Sequence, residues 1–120
     1  MGEAEPQSAD ATAQRISDEI AAIHVESYGE RVESIRTEIL DDLVVCYLDI
    51  RLMTHEQTLL DRGCSEDAIR AIRRAHEACV EPAFSAAVEH STGRRVIAFL
   101  SDTHIDPPFN VELFKLAPSA

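Results

Sequence analysis

The sequence predicts an α+β domain of two layers: a four-stranded, mainly antiparallel sheet made of two hairpins, with helices on one face. Three observations carry this. Residues 32–52 hold two runs in which apolar and polar side chains alternate, as half-buried strands require. Residues 65–91 repeat apolar side chains at helical spacing. Residues 95–117 hold a short apolar run, a Pro-Pro turn and a return run. The order helix, hairpin, short helix, long helix, hairpin suits helices stacked on an antiparallel sheet.

Residues 1–10 are polar, contain Pro6 and show no periodicity, so they read as a disordered lead to a single domain over 11–118. Ile16, Ile20 and Ile23 share one helical face, and Gly29 suits the left-handed residue that ends a helix. In the first hairpin Ile35, Thr37 and Ile39 alternate with Arg36 and Glu38. After Asp41-Asp42 a second row runs Val44, Cys46, Leu48, Ile50, Leu52. Asp-Asp lacks the glycine that tight two-residue turns favour, which leaves room for a longer loop.

Thr54-His-Glu-Gln57 reads as a capping box, with Thr54 capping and Gln57 reaching back; the short helix it opens stops at Gly63. Ser65 caps the main helix, and Glu66 and Asp67 sit at the positive end of its dipole. The apolar face of that helix reads Ile69, Ile72, His76, Cys79, Val80, Ala83, Ala87 and Val88, and Gly93 closes it. Pro82 lacks an amide donor and crowds the carbonyl of Ala78, which predicts a kink or short break. The expected core is Phe84, Val88, Ile97, Phe99, Leu48 and Ile50. Val45 and Tyr47 point away from it, and the apolar surface they leave predicts a homodimer.

The chain has 120 residues and a net charge of −11, with its eleven Lys and Arg scattered. Such a field repels phosphate backbones and anionic lipid, so nucleic acid and peripheral membrane binding are disfavoured, and without a long apolar stretch direct membrane insertion is not expected. No stretch approaches the ~20 apolar residues that cross a bilayer, and the N-terminus lacks a signal-peptide pattern; a cytoplasmic location is expected. Cys46, Cys64 and Cys79 form no C-x-x-C pair and read as free, mostly buried thiols. The glycines at 2, 29, 63 and 93 never cluster, which excludes a P-loop or dinucleotide fingerprint, and no G-x-S-x-G frame surrounds a serine.

The run Leu100-Ser-Asp-Thr-His104, continued to Asp106, carries the strongest chemical signal. Asp102, His104 and Asp106 alternate at the end of an apolar strand, where a carboxylate and an imidazole on one face can share an ion. It resembles the opening of calcineurin-like metallophosphoesterases. Those enzymes need further Asp, Asn-His and His segments downstream, and the sixteen residues after His104 hold no His and no Asp but Asp106. The simpler reading makes these side chains caps of a strand end and its turn. As a ligand site the cluster would draw on Arg73, Arg74 and Arg95. His76 reads as a core or rim histidine, and His24, His55 and His90 as surface residues. No cofactor and no metal are called for.

The whole chain, over residues 12–117, resembles the MpsC family, small domains named after a sodium-translocating, membrane-potential-generating system. The resemblance rests on Leu52, Glu56 and Leu59 within Leu52-Met-Thr-His-Glu-Gln-Thr-Leu59, similar to the family's Leu-Thr-x-x-Glu-x-x-Leu, with Met53 in the threonine's place. It continues in Ile69-Arg-Ala-Ile-Arg-Arg74, Val88-Glu-His-Ser-Thr-Gly93 and Val96–Pro107. Where the family often has a Gly-Arg-Gly-Pro-like run, this chain reads Tyr28-Gly-Glu-Arg31. The resemblance implies a link to sodium or inorganic-carbon transport systems, with a membrane-transport protein as partner, and supplies no catalytic residues. The resulting expectation is a non-enzymatic accessory or interaction domain. The alternative is a small-ligand or metal-binding domain using Asp102, His104 and Asp106.

Overall fold

The structure is a computed structural model that describes residues 4–30 and 32–119, with side chains from residue 9 onward. Three helices and four strands follow in the order α1 (Ala4–Tyr28), β1 (Ser34–Leu40), β2 (Leu43–Asp49), α2 (Thr54–Asp61), α3 (Glu66–Thr92), β3 (Val96–His104) and β4 (Phe109–Leu116). The strands form one antiparallel sheet in the order β1-β2-β4-β3, so the second hairpin is added to the first through β4. This is the α+β architecture read from the sequence. Helix α1 starts at Ala4, upstream of its Ile16–Ile20 contact row, and residues 1–3 of the polar lead lie outside the described residues.

Strand alternation sets which side chains meet the helices. Ile35, Thr37 and Ile39 of β1 point inward, as do Val44, Cys46 and Leu48 of β2 and Phe114 and Leu116 of β4. Against them pack Ile16 and Ile20 of α1 and Val80, Phe84 and Val88 of α3. Of the expected core, Phe84, Val88, Leu48 and Ile50 are buried and Phe99 sits half-buried at its rim. Ile97 is half exposed instead. A bulge between Val96 and Ala98 shifts the register, so Val96 and Phe99 face inward while Ile97 and Ala98 both turn out.

Other local expectations need correction. The first hairpin closes in two residues, Asp41 and Asp42, with Asp41 at φ 53°. Arg94 supports this left-handed aspartate: it donates to the Asp41 carbonyl (3.0 Å), the Asp42 carboxylate (2.5 Å) and the Ala117 carbonyl (2.6 Å). The cap of α2 is displaced by one residue: the Met53 amide donates to Glu56 (2.8 Å), while Gln57 pairs with Asp61. Helix α3 runs unbroken through Pro82. Pro82 and Ala78 lie on the solvent side, where water can satisfy the carbonyl the proline leaves unpaired. Cys46 is buried, but Cys64 and Cys79 are exposed.

Candidate functional site

The apolar face of α3 departs most from the sequence reading. Ile72 is half exposed and Cys79 and Ala83 face solvent, while Arg73 and Glu77 are buried between Ile69 and Val80. The N-terminal half of α3 thus lays two charged side chains, four residues apart, against α1, α2 and the inner face of the sheet.

Arg73 is 2% exposed and meets Glu56, as deeply buried, in a two-point ion pair: Nε to Oε2 at 2.7 Å and Nη2 to Oε1 at 2.6 Å. The guanidinium lies 4.8 Å from the Tyr28 ring centroid, a cation–π contact. Burial raises the Glu56 carboxyl, but the Arg73 and Met53 hydrogen bonds outweigh it and hold the group below its ordinary range. Glu56 therefore joins α2 to α3 and caps α2 with the same side chain.

Tyr28, the last residue of α1, donates its hydroxyl to Glu77 Oε1 (2.8 Å); its ring stacks on His24 (centroids 4.5 Å apart) and meets His76 at a tilt (4.1 Å). His76 Nε2 lies 3.1 Å from the Ser27 carbonyl. His24, assigned by the sequence to the surface, is buried. Burial, reinforced by the Arg73 charge, lowers its pKa to about 4, so it is neutral at physiological pH.

Across from α3, β4 turns Asn110 and Glu112 inward, both without solvent exposure. Asn110 Oδ1 accepts from Thr103 (2.6 Å), its cross-strand neighbour. Ser101 stands opposite Glu112, close enough to offset a small part of the rise in its pKa but outside hydrogen-bonding geometry. Glu112 Oε1 and Oε2, Glu77 Oε2 and Asn110 Nδ2 are buried with no partner among the described residues. Burial, then the neighbouring Glu77 charge, raises the Glu112 carboxyl to about 9; burial raises Glu77 as well. The arrangement can take up and release charge inside the fold.

The strand-end residues lie elsewhere. Asp102 accepts from the Thr103 amide (2.9 Å) and pairs loosely with Arg74 (3.4 Å). His104 Nδ1 lies 2.8 Å from the Pro107 carbonyl, and its ring stacks on Phe109. Asp106 is exposed in the turn, ahead of a cis bond to Pro107. The fold brings Asp102 and Arg74 together. It does not add Arg73, which faces the core, or Arg95, which precedes the opposite end of β3. An open cleft of about 340 Å³ is lined by Arg70, Asp102, Thr103, His104 and Phe109. Among the described residues no three His, Cys, Asp or Glu side chains converge as a metal centre, and no helix is long and apolar enough to cross a membrane.

A signal for the buried charges was present. Continuing the helical phase of Val80, Phe84 and Val88 backwards leads to Glu77 and Arg73, and the two bracket with Ile69. In β4 the opposite row, Phe109, Val111 and Leu113, is more apolar than Asn110 and Glu112, so composition pointed to the wrong face.

No curated protein and no solved structure matches the chain. One family model does, over residues 9–118, and its description is the Na+-translocating membrane potential-generating system (MpsC). The match spans nearly the whole of the fold, including Glu56, Arg73, Glu77 and Glu112, and this chain belongs to the MpsC family.

Proposed function

We propose that this chain is a non-enzymatic accessory domain that self-associates through the open face of its sheet and serves a Na+-translocating membrane system from the cytoplasm. The family's description supports the association with sodium transport. The bare sheet face carries the interaction reading. Helices cover one side of the sheet, and the other presents Leu43, Val45, Tyr47, Val111, Leu113 and Leu100 in adjoining rows. Leu100 is 68% exposed and Tyr47 37%. Contiguous apolar surface of this kind is characteristic of interfaces.

A second copy is the occupant that the charges favour. One row across the open face reads Arg36, Tyr47, Val111, Asp102, with a cation on one edge strand and an acid on the other. A two-fold axis parallel to the strands, passing between β2 and β4, lays β1 over the partner's β3. It sets Arg36 above Asp102 twice and buries the apolar rows between them. Sedimentation at tens of micromolar should give a dimer. Leu100→Arg should give a monomer with unchanged helical content. A monomeric wild type would remove this reading.

The cleft beside Asp102 and His104 favours a second reading, a small-anion or metal site that also uses Arg70 and Arg74. Divalent metal retained through dialysis, and lost in His104→Ala, would replace the first reading with this one.

A further inference from the structure

Helix α3 and strand β4 bring the carboxyls of Glu77 and Glu112 into one buried layer. Glu77 Oε2 and both oxygens of Glu112 have no hydrogen-bond partner among the described residues. An ionised carboxylate only accepts hydrogen bonds, so buried oxygens without donors favour the protonated acid. The same layer holds donors in reserve. Arg73 spends Nε and Nη2 on Glu56 and leaves Nη1 buried and unpartnered. Asn110 spends Oδ1 on Thr103 and leaves Nδ2 in the same state, as is the Ser101 hydroxyl opposite Glu112. Acceptors and donors thus share the layer without meeting.

Every packed element contributes to the surroundings of the pair. Burial raises Glu77, and the Tyr28 hydrogen bond, His76 when protonated and the Arg73 charge work against that rise. Burial raises Glu112 too, the Glu77 charge adds to it, and only the Ser101 hydroxyl opposes it, so the proton of the pair sits on Glu112. On α1, Tyr28 stays protonated and His24 neutral. On α2, Glu56 is ionised and matched by Arg73. Cys46 of β2 stays a thiol, because burial raises it to about 11. β1 and β3 add the hydroxyls of Thr37, Ser101 and Thr103.

We propose that Glu77 and Glu112 form a proton-operated switch whose state is passed through Arg73 to α2. With Glu112 protonated, the reserve donors stay idle. When that proton passes to a base in solvent, the two carboxylates repel, and the new charge attracts Arg73 Nη1 and Asn110 Nδ2. Repulsion alone would only lower stability; the idle donors supply a defined second arrangement. Asn110 lies on the strand of Glu112, so its response is local. Arg73 is different. Its guanidinium is planar and rigid, so Nη1 cannot turn toward the pair without altering both bonds to Glu56. Glu56 in turn accepts from the Met53 amide and caps α2. A charge change at the sheet therefore acts on the start of α2, which borders an open cleft of about 880 Å³ shared with Ile105 and Asp106 of the β3–β4 turn. The switch depends neither on the dimer nor on what the family's description says.

The test is a carbon-13 magnetic resonance titration of the full chain from pH about 6 to about 10, read at the Glu112 and Glu56 carboxyl carbons and at Arg73 Cζ. Glu56 is ionised throughout this range, so a shift of its signal reports a change in its bonds and not its own titration. The three signals should move together in the wild type, with one apparent pKa of about 9 and the folded spectrum retained. In Glu112→Gln the Glu56 and Arg73 signals should stay flat. If that variant fails to fold, Glu77→Gln should move the shared midpoint to lower pH, because it removes the charge that opposes ionisation of Glu112. A Glu112 carboxyl already ionised at the acid end would remove the switch. Flat Glu56 and Arg73 signals while Glu112 titrates would overturn the transmission and leave an isolated acid. Equal shifts in the wild type and Glu112→Gln, or an unmoved midpoint in Glu77→Gln, would assign them to another group. Loss of the folded spectrum at the midpoint would show unfolding in place of a second arrangement.

Discussion

The two halves of α3 are buried to the same depth against the same sheet with opposite chemistry. The C-terminal half inserts Val80, Phe84, Ala87 and Val88 among Ile16, Ile20, Val44, Leu48 and Phe114. The N-terminal half inserts Ile69, Arg73 and Glu77 beside Glu56, Tyr28, Asn110 and Glu112. Hydrophobic burial needs only volume and shape, so the first half is tolerant of detail and provides the stability. Buried charges need partners at set distances, and the net gain from such a pair is small or negative against an apolar replacement. The second half therefore costs stability that a simple packing role would not demand, and the difference locates the specialised part of the molecule.

The widest separation between the halves should come from deleting one group in each. Phe84→Ala removes a fully buried ring at the centre of the apolar half and should destabilise by about 3–5 kcal/mol in urea titration. Arg73→Ala should cost a similar amount, about 3–5 kcal/mol, because it strands Glu56 as a lone buried charge. The paired replacement Arg73→Met with Glu56→Leu should recover most of that loss, less the α2 cap that Glu56 supplies. No second substitution of comparable size should rescue Phe84→Ala so fully. If the double variant is no better than Arg73→Ala alone, the polar half is held by more than this ion pair.

A smaller and pH-dependent effect should sharpen the contrast. The folded pKa of Glu112 is raised, so its unfolded form loses a proton first and stability falls as pH rises through the window from about 4.5 to about 9. The folded pKa of His24 is depressed, so its contribution is present above about 6.5 and lost as pH falls toward about 4. The two slopes offset each other below about pH 6.5. Above it Glu112 acts without opposition from His24, at up to about 1.4 kcal/mol per pH unit. Urea midpoints should fall from pH about 6.5 to about 9 in the wild type and stay much flatter in Glu112→Gln. Equal slopes in the two proteins would place the titration on another group.

The same contrast explains what the sequence could disclose. Alternation and helical spacing identify elements because apolar side chains are selected by burial, and the strands, helices and their order were legible from residues such as Ile35, Cys46, Leu48, Phe84 and Val88. The bulge at Ile97 was hidden, since one inserted residue in an all-apolar run leaves no change of pattern. The helical phase of Val80, Phe84 and Val88 leads back to Arg73 and Glu77, but the rest of the polar core was hidden for a different reason. Arg73 and Glu77 look like a solvated helix face until a partner is known, and those partners, Glu56, Tyr28 and Glu112, come from three other elements. The strand-end cluster drew attention because its residues are adjacent in sequence. The buried cluster is assembled by folding, and sequence proximity cannot show it.

Arg73 and Arg74 give the narrowest form of the comparison, and the smallest expected effect. They are consecutive in the chain, and one step of the helix, about 100°, carries the second out of the interface. Arg73 is dry and makes two short bonds, whereas Arg74 and Asp102 are each more than half exposed and meet at 3.4 Å through one nitrogen. Water screens that pair, and holding two long side chains together opposes the attraction, so an exposed pair of this geometry is worth at most about 1 kcal/mol. Asp102 also accepts from the amide of Thr103, a bond that water can replace at an exposed site. Arg74→Ala should therefore shift the urea midpoint no more than a surface control does, beside the large loss expected for Arg73→Ala. Asp102→Ala should behave like Arg74→Ala in stability while weakening the dimer, because the proposed interface uses its charge against Arg36. A large destabilisation from Arg74→Ala would mean that the strand end is a built site, and would move the specialised region from the helix–sheet interface to the edge of β3.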